Sequence, residues 1–445
     1  MTKLFSTLAT FAAHSQTNGE YAPFISRPSA LALRPNYRGL HPHTTTSQQR
    51  LTRPAGHDLR QPSSALFSTY SCDDVNKSCS VYPIGDTLKR LQSLRNTPTD
   101  ERFEQLDHLP INERRQLLEC RESCSELLSH MISEYPWADL QVDTLPIGGA
   151  YAFSLLANLA YMCSYDTSDA TTTRAYDALT AGGWMPESIL TSDEPNPPYP
   201  PLSDDIMCHR MLMLTRDNEV ILSIRGTQSN DDWLTNFRMR PISGENLGLT
   251  GQYHRGYCEL VADLWDTLKV RLEQLQQANP DKPIRIGLTT HSAGGPMGLM
   301  LAQIFNNAGY NVERVVTFGA VRGMDEAACD AYEHSKLDDR TLRVFNFVDI
   351  GPYVWPNLQH PASHELYLTH NGQYLYNPTP KEVSANQRRR FSPCEALAYG
   401  TRLREHYDHH MIHYAKILAM HAGDKVQRTD DRGPMTEDES ISRHP

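Results

Sequence analysis

Between residues 207 and 348 the chain alternates short apolar, β-branched runs with segments of helical periodicity, and this alternation restricts the fold more than any other feature. Strands are expected over 207–214 and 219–224, around the polar turn 215–218. A helix follows over 257–277, with Leu260, Val261, Leu264, Trp265, Leu268, Leu272 and Leu275 on one side, and Asn279-Pro280 ends it. Then come a strand from 284, a helix over 296–307, a strand over 314–318, a helix over 325–334 and a strand over 342–348. Strands separated by helices of this length lie parallel in a sheet covered on both faces. The expected class is therefore α/β with a mostly parallel central sheet. A helix over 150–161 precedes the series, the Asn371-Gly372 pair marks a hairpin between 365–369 and 373–376, and a last helix spans 405–422.

The flanks differ in character. Residues 1–70 hold two acids, Glu20 and Asp58, against Lys3, Arg27, Arg34, Arg38, Arg50, Arg53 and Arg60, and they are rich in Ser, Thr and Pro. Such a leader is expected to be disordered, and it reads equally as an organellar transit peptide, an export signal or a plain tail. A helical N-terminal region is expected over 84–140, an α/β domain over 150–422 and a disordered charged tail over 423–445. Prolines at 195, 197, 198, 200 and 201 exclude helix and central strand from the loop 191–204.

A 445-residue chain with 39% hydrophobic residues can build one sizeable core. A net charge of -11 without a basic stripe argues against nucleic acid as a partner. Nine scattered cysteines make no disulfide framework, although Cys120 and Cys124 share a helix face and Cys72 and Cys79 flank a loop that a bridge could close. No cysteine pair with a matching histidine pair suggests a metal, and no run is long enough for a membrane-spanning helix.

The strand 284–290 runs into Thr290-His291-Ser292-Ala293-Gly294-Gly295-Pro296, where a helix begins. A hydroxyl at a tight strand-to-helix corner stands clear of the sheet, with helix N-terminal N–H groups beside it. Ser292 is therefore the candidate nucleophile. It needs an imidazole to take its proton and a carboxylate to orient that imidazole. Asp349 lies just past the strand 342–348, on the carboxyl edge where such groups gather. Of the later histidines, His409 is preferred because Asp408-His409-His410 begins the final helix; His291 adjoins the serine at a sharp corner and is expected to be packed. An oxyanion needs two N–H donors, one from Ala293 and one from a separate strand end, where Gly226-Thr227 is suitably placed.

In order, Ile224-Arg225-Gly226-Thr227, Asp232-Trp233, Asn236-Phe237, His254-Arg255-Gly256-Tyr257, His291 to Gly295, Thr317 to Gly323, Asn346 to Asp349 with Pro352, Glu365 to Leu368, and Asp408-His409 with Met411 and Tyr414 resemble the class 3 lipase family. That family is the fungal-lipase-like branch of the α/β-hydrolases, and the resemblance spans about 150–420. It implies an α/β-hydrolase fold, with Ser292 as nucleophile, Asp349 as orienting acid, His409 as base, and Thr227 and Ala293 holding the oxyanion. It further implies hydrolysis of lipid acyl esters, triacylglycerol or phospholipid, through an acyl-enzyme, with no cofactor and with transient contact with a lipid surface. A lid maps to 229–237, with Trp233, Leu234 and Phe237 as its apolar residues, or else the loop 191–204 covers the site. Thr290 stands where the family carries the first glycine of the corner. His410 beside His409 leaves the base open by one position, and either His360 or His364 fills a non-catalytic slot. The same scaffold also serves non-catalytic interaction proteins and esterases for non-lipid esters.

Overall fold

The computed structural model describes residues 84–109, 124–143, 147–162, 170–190, 209–227, 238–347, 349, 351–361, 363–369, 371–388 and 411–424. The leader 1–70, the loop 191–204, the lid residues 229–237, His409 and His410, and the tail beyond 424 lie outside the described residues. Along the chain run α1 (Ile84–Arg95), α2 (Thr99–His108), α3 (Cys124–Glu134), α4 (Ile147–Met162), α5 (Ala170–Ala181), β1 (Met185–Leu190), β2 (His209–Arg216) and β3 (Glu219–Ile224). After them come β4 (Pro241–Ser243), β5 (Gln252–His254), α6 (Arg255–Ala278), β6 (Arg285–His291), α7 (Gly294–Asn307), β7 (Asn311–Phe318), α8 (Glu326–His334) and β8 (Thr341–Asn346). The series closes with β9 (His364–Leu368), β10 (Tyr374–Tyr376), α9 (Pro380–Arg388) and α10 (Met411–His421).

One sheet has the order β1-β2-β3-β6-β7-β8-β9-β10. Its centre, from β3 through β6, β7 and β8 to β9, is parallel. β1 and β2 add antiparallel at one end and β10 at the other. The sheet is α/β-hydrolase-like, with a mostly parallel centre, and period-two alternation splits its side chains between two cores. Leu212, Leu214, Ile221, Val316 and Phe318 face α4 and α10, whereas Met211, Met213, Val220, Leu222 and Val315 face α6 and α7.

Several observed elements depart from the sequence expectation. β2 runs to Arg216, so the turn is only Asp217-Asn218, with Asp217 at φ 51. A two-residue hairpin needs such left-handed backbone, which aspartate tolerates better than most residues. β8 ends at Asn346, two residues short of the expected limit. β1 was not expected, because Pro186 interrupts its pattern; it pairs with β2 alone, at the sheet edge where proline is tolerated.

The helix α10 is buried at every position from Met411 to His421, packed against α4 on one side and α1 on another. α2 supplies the tie that holds its far end. Arg102, 2% exposed, donates to the carbonyls of Leu94 (2.6 Å) and Thr97 (2.7 Å) and to both carboxylate oxygens of Asp424 (2.9 and 2.8 Å). Its Nη1 lies 2.8 Å from Nδ1 of His421, whose Nε2 donates to the Gly372 carbonyl at 2.8 Å. The Gln373 side chain donates to the Phe103 carbonyl at 3.1 Å, and Asn371 hydrogen-bonds Asp107. The N-terminal helices thus fasten both the end of α10 and the turn of the β9-β10 hairpin.

Candidate active site

β6 is buried from Ile286 to His291 and ends at a corner two residues long before α7 begins at Gly294. Ser292 occupies that corner at φ 54, a left-handed conformation that costs a non-glycine residue about 1–3 kcal/mol. The strain is held in place by backbone bonds on three sides. The Ser292 N–H donates to the Phe318 carbonyl at 3.0 Å, and its own carbonyl accepts from Gly295 at 3.0 Å and Val321 at 3.2 Å. A side chain at Gly294 would run into the Ile224 carbonyl, so the helix start can lie against the end of β3 only because that residue is glycine.

The end of β3 meets the corner directly. A Cβ on Gly226 would fall 2.6 Å from Ser292 Cβ and 2.8 Å from the His291 carbonyl. Gly226, the residue before Thr227, therefore packs directly against Ser292, which Ala293 follows in the chain. Ala293 is 5% exposed and helical (φ -61, ψ -25), opening α7 with its N–H among the unsatisfied donors of a first turn.

Asp349, 2% exposed, follows β8 in a turn closed by its own side chain. Its Oδ1 accepts from the Gly351 N–H at 2.7 Å, and its N–H donates to Asn346 Oδ1 at 2.9 Å. Oδ2 accepts a hydrogen bond from the Tyr414 hydroxyl, on the first turn of α10. The carboxylate is thus oriented from two elements, one of them the helix that starts just after His409 and His410.

His291 is buried, as expected, and links the two halves of the site. Its Nδ1 lies 2.6 Å from the Tyr161 hydroxyl, which also accepts the Gly226 N–H at 2.7 Å. Its ring stands edge-on to Tyr161 (5.6 Å) and to Tyr414 (6.3 Å). Tyr161, at the end of α4, is a site residue that the sequence reading missed: it lies 130 residues from His291 and nothing beside it marks it out. Two further histidines, His360 and His364, compete for a non-catalytic slot. His364 stacks on Tyr376 at 5.9 Å, and His360 is pushed well below the ordinary histidine range by burial and by the charges of Arg343 and Arg322.

A strained hydroxyl, flanking backbone donors and a buried, doubly oriented carboxylate are parts that acyl transfer requires. Comparison with known proteins gives a family match. The family described as lipase (class 3) matches residues 221–358, which include Ser292, Asp349, Thr227 and Ala293. Among solved structures, the triacylglyceride lipase of Rhizomucor miehei is similar at 16% identity over 59% of this chain and 94% of its own, with a TM-score of 0.41. The Lip2 lipase of Yarrowia lipolytica is similar at 17% identity over 40% of this chain and 70% of its own, with a TM-score of 0.33. A fungal lipase in complex with an inhibitor matches at 15% identity over 49% and 78%, with a TM-score of 0.37.

Proposed function

Residues 221–358 belong to the class 3 lipase family, and from that premise we propose that the chain is a serine hydrolase cleaving acyl esters of lipids, as a triacylglycerol lipase or a phospholipase A1. The observation that carries the proposal is Ser292 itself, held at φ 54 on the corner between β6 and α7. A residue is kept in that conformation against its own preference only where the surroundings over-determine it, and such sites cluster where chemistry occurs.

The proposed sequence of events uses the chain's own groups. Ser292 Oγ attacks the ester carbonyl while His409 accepts its proton, and Asp349 orients the imidazole and stabilises its charged form. The N–H groups of Ala293 and Thr227 take the developing oxyanion. Collapse returns the proton through His409 to the leaving alcohol, and water, activated by the same histidine, releases the acid from Ser292. The Tyr414-to-Asp349 bond ties the start of α10 to the acid, which supports a base in the residues just ahead of that helix, of which His409 is the one proposed.

Products decide the substrate. After incubation with mixed triacylglycerols and phospholipids, mass spectrometry is expected to show free fatty acid with either diacylglycerol or a lysophospholipid, and Ser292→Ala to abolish both. Fatty acid release undiminished in Ser292→Ala would contradict the proposal. His409→Ala is expected to lower kcat by on the order of 10³-fold or more, with His410→Ala retaining most activity; the reverse order would move the base by one position.

A further inference from the structure

We propose that Tyr161 and Arg225 are positioning residues that clamp the peptides of 225–227 from two sides, so that Thr227 presents its N–H to the oxyanion. The inference rests on the hydrolase reading of Ser292. It begins with a conflict at Gly226. The close approach to Ser292 and His291 demands a residue without Cβ there. Glycine also has the widest choice of backbone conformations, so the peptide joining Gly226 to Thr227 would be free to turn over and offer a carbonyl where a donor is needed.

Two hydrogen bonds remove that freedom. The Gly226 N–H donates to the Tyr161 hydroxyl at 2.7 Å, and the Gly226 carbonyl accepts from Arg225 Nη1 at 2.8 Å. In a planar trans peptide the carbonyl and the following N–H point in opposite directions. Fixing Gly226 O on the guanidinium therefore directs the Thr227 N–H away from it. Arg225 is 5% exposed, so this guanidinium-to-carbonyl bond is charge-assisted and shielded from water.

Tyr161 is in turn set by His291. The phenol oxygen that accepts the Gly226 N–H lies 2.6 Å from His291 Nδ1, and a hydrogen bond between the two holds the ring in place whichever of them donates. The residue preceding the nucleophile thereby holds the phenol that holds the strand end opposite the nucleophile. Preorganised donors of this kind need no rearrangement when charge develops, which is why they act on the transition state rather than on substrate binding.

Tyr161→Phe keeps the ring and deletes the hydroxyl; Arg225→Lys keeps the charge and loses the planar fork. Each is to be assayed on the full chain with a long-chain ester, and with a long-chain trifluoromethyl ketone, which adds reversibly to a serine to give a tetrahedral oxyanion. For Tyr161→Phe we expect kcat to fall by about 10- to 100-fold with KM within about twofold, the ketone Ki to rise by a matching factor, and Arg225→Lys to follow the same pattern. A purely structural role would move melting temperature and leave the ratio of Ki to KM alone. The clamp is overturned if kcat is unchanged in Tyr161→Phe, or if kcat falls while the ketone Ki does not rise. An active wild type with an unaffected Tyr161→Phe contradicts the clamp alone; a wild type that neither hydrolyses the ester nor binds the ketone contradicts the hydrolase reading as well.

Discussion

Thr290 is the residue at which the corner departs from the family pattern, and the structure shows how it is housed. A side chain on Gly298, one turn into α7, would collide with Thr290 Cγ2, so the glycine expected at 290 has in effect been exchanged for space at 298. The Thr290 hydroxyl is buried with no hydrogen-bond partner among the described residues. Two outcomes are expected in chemical denaturation. Gly298→Ala should cost about 1–3 kcal/mol through overpacking, and Thr290→Ala in the same chain should restore part of it. Thr290→Val, which keeps the shape and removes the orphan hydroxyl, should be neutral or stabilising by about 1 kcal/mol. At this scale the sequence proposes Ser292, Asp349, Ala293 and Thr227, because each stands close to a strand end that periodicity can locate. It could not show Tyr161, Arg225 or Gly298 in their roles, since those depend on contacts between elements that no local pattern records.

At the scale of elements, long segments with a clear apolar pattern were the legible ones. α6 and α7 appear within two residues of their expected limits, while β1 was hidden by its proline and α5 by its polar composition. The sequence also marked the N-terminal helices without revealing their task. They carry Arg102 into a buried pair with Asp424, and breaking such a pair by removing one partner costs about 3–5 kcal/mol. Arg102→Ala should therefore unfold at markedly lower denaturant than wild type. The Asp424 carboxyl lies below the ordinary carboxylate range: burial alone would raise it, but hydrogen bonds with His421 and Arg102 and the guanidinium charge outweigh burial. A carboxylate lowered in the folded state contributes its stability above the unfolded value, about 3.9, and loses it as pH falls through the folded one. Acid titration of stability below about pH 4 should accordingly be shallower in Asp424→Asn than in wild type.

For the whole molecule, the parallel centre of the sheet brings strand ends from β3, β6 and β8 to one edge, and α10 returns the end of the chain to that edge. What holds α10 there is shared between α4, within the hydrolase-like body, and α1 and α2, ahead of it: Arg95 Nε donates to the Ala419 carbonyl at 2.9 Å, next to the Arg102 cluster. Deleting residues 1–70 should leave melting temperature and activity close to those of the full chain. Deleting residues 1–109 should lower both, because it uncovers an all-buried helix and leaves Asp424 without its guanidinium. The alternation of strands and helices made this architecture readable in advance; the dependence of α10 on the N-terminal helices was not, because it is carried by contacts of Arg95 and Arg102 with partners more than 300 residues away.

The central claim is that Ser292 is a nucleophile, and the most direct measurement is peptide mass spectrometry of the full chain after exposure to a long-chain fluorophosphonate. The expected result is one phosphonyl adduct, on the peptide containing Ser292, absent from Ser292→Ala. No adduct on the wild type, or the same adduct on Ser292→Ala, would contradict it.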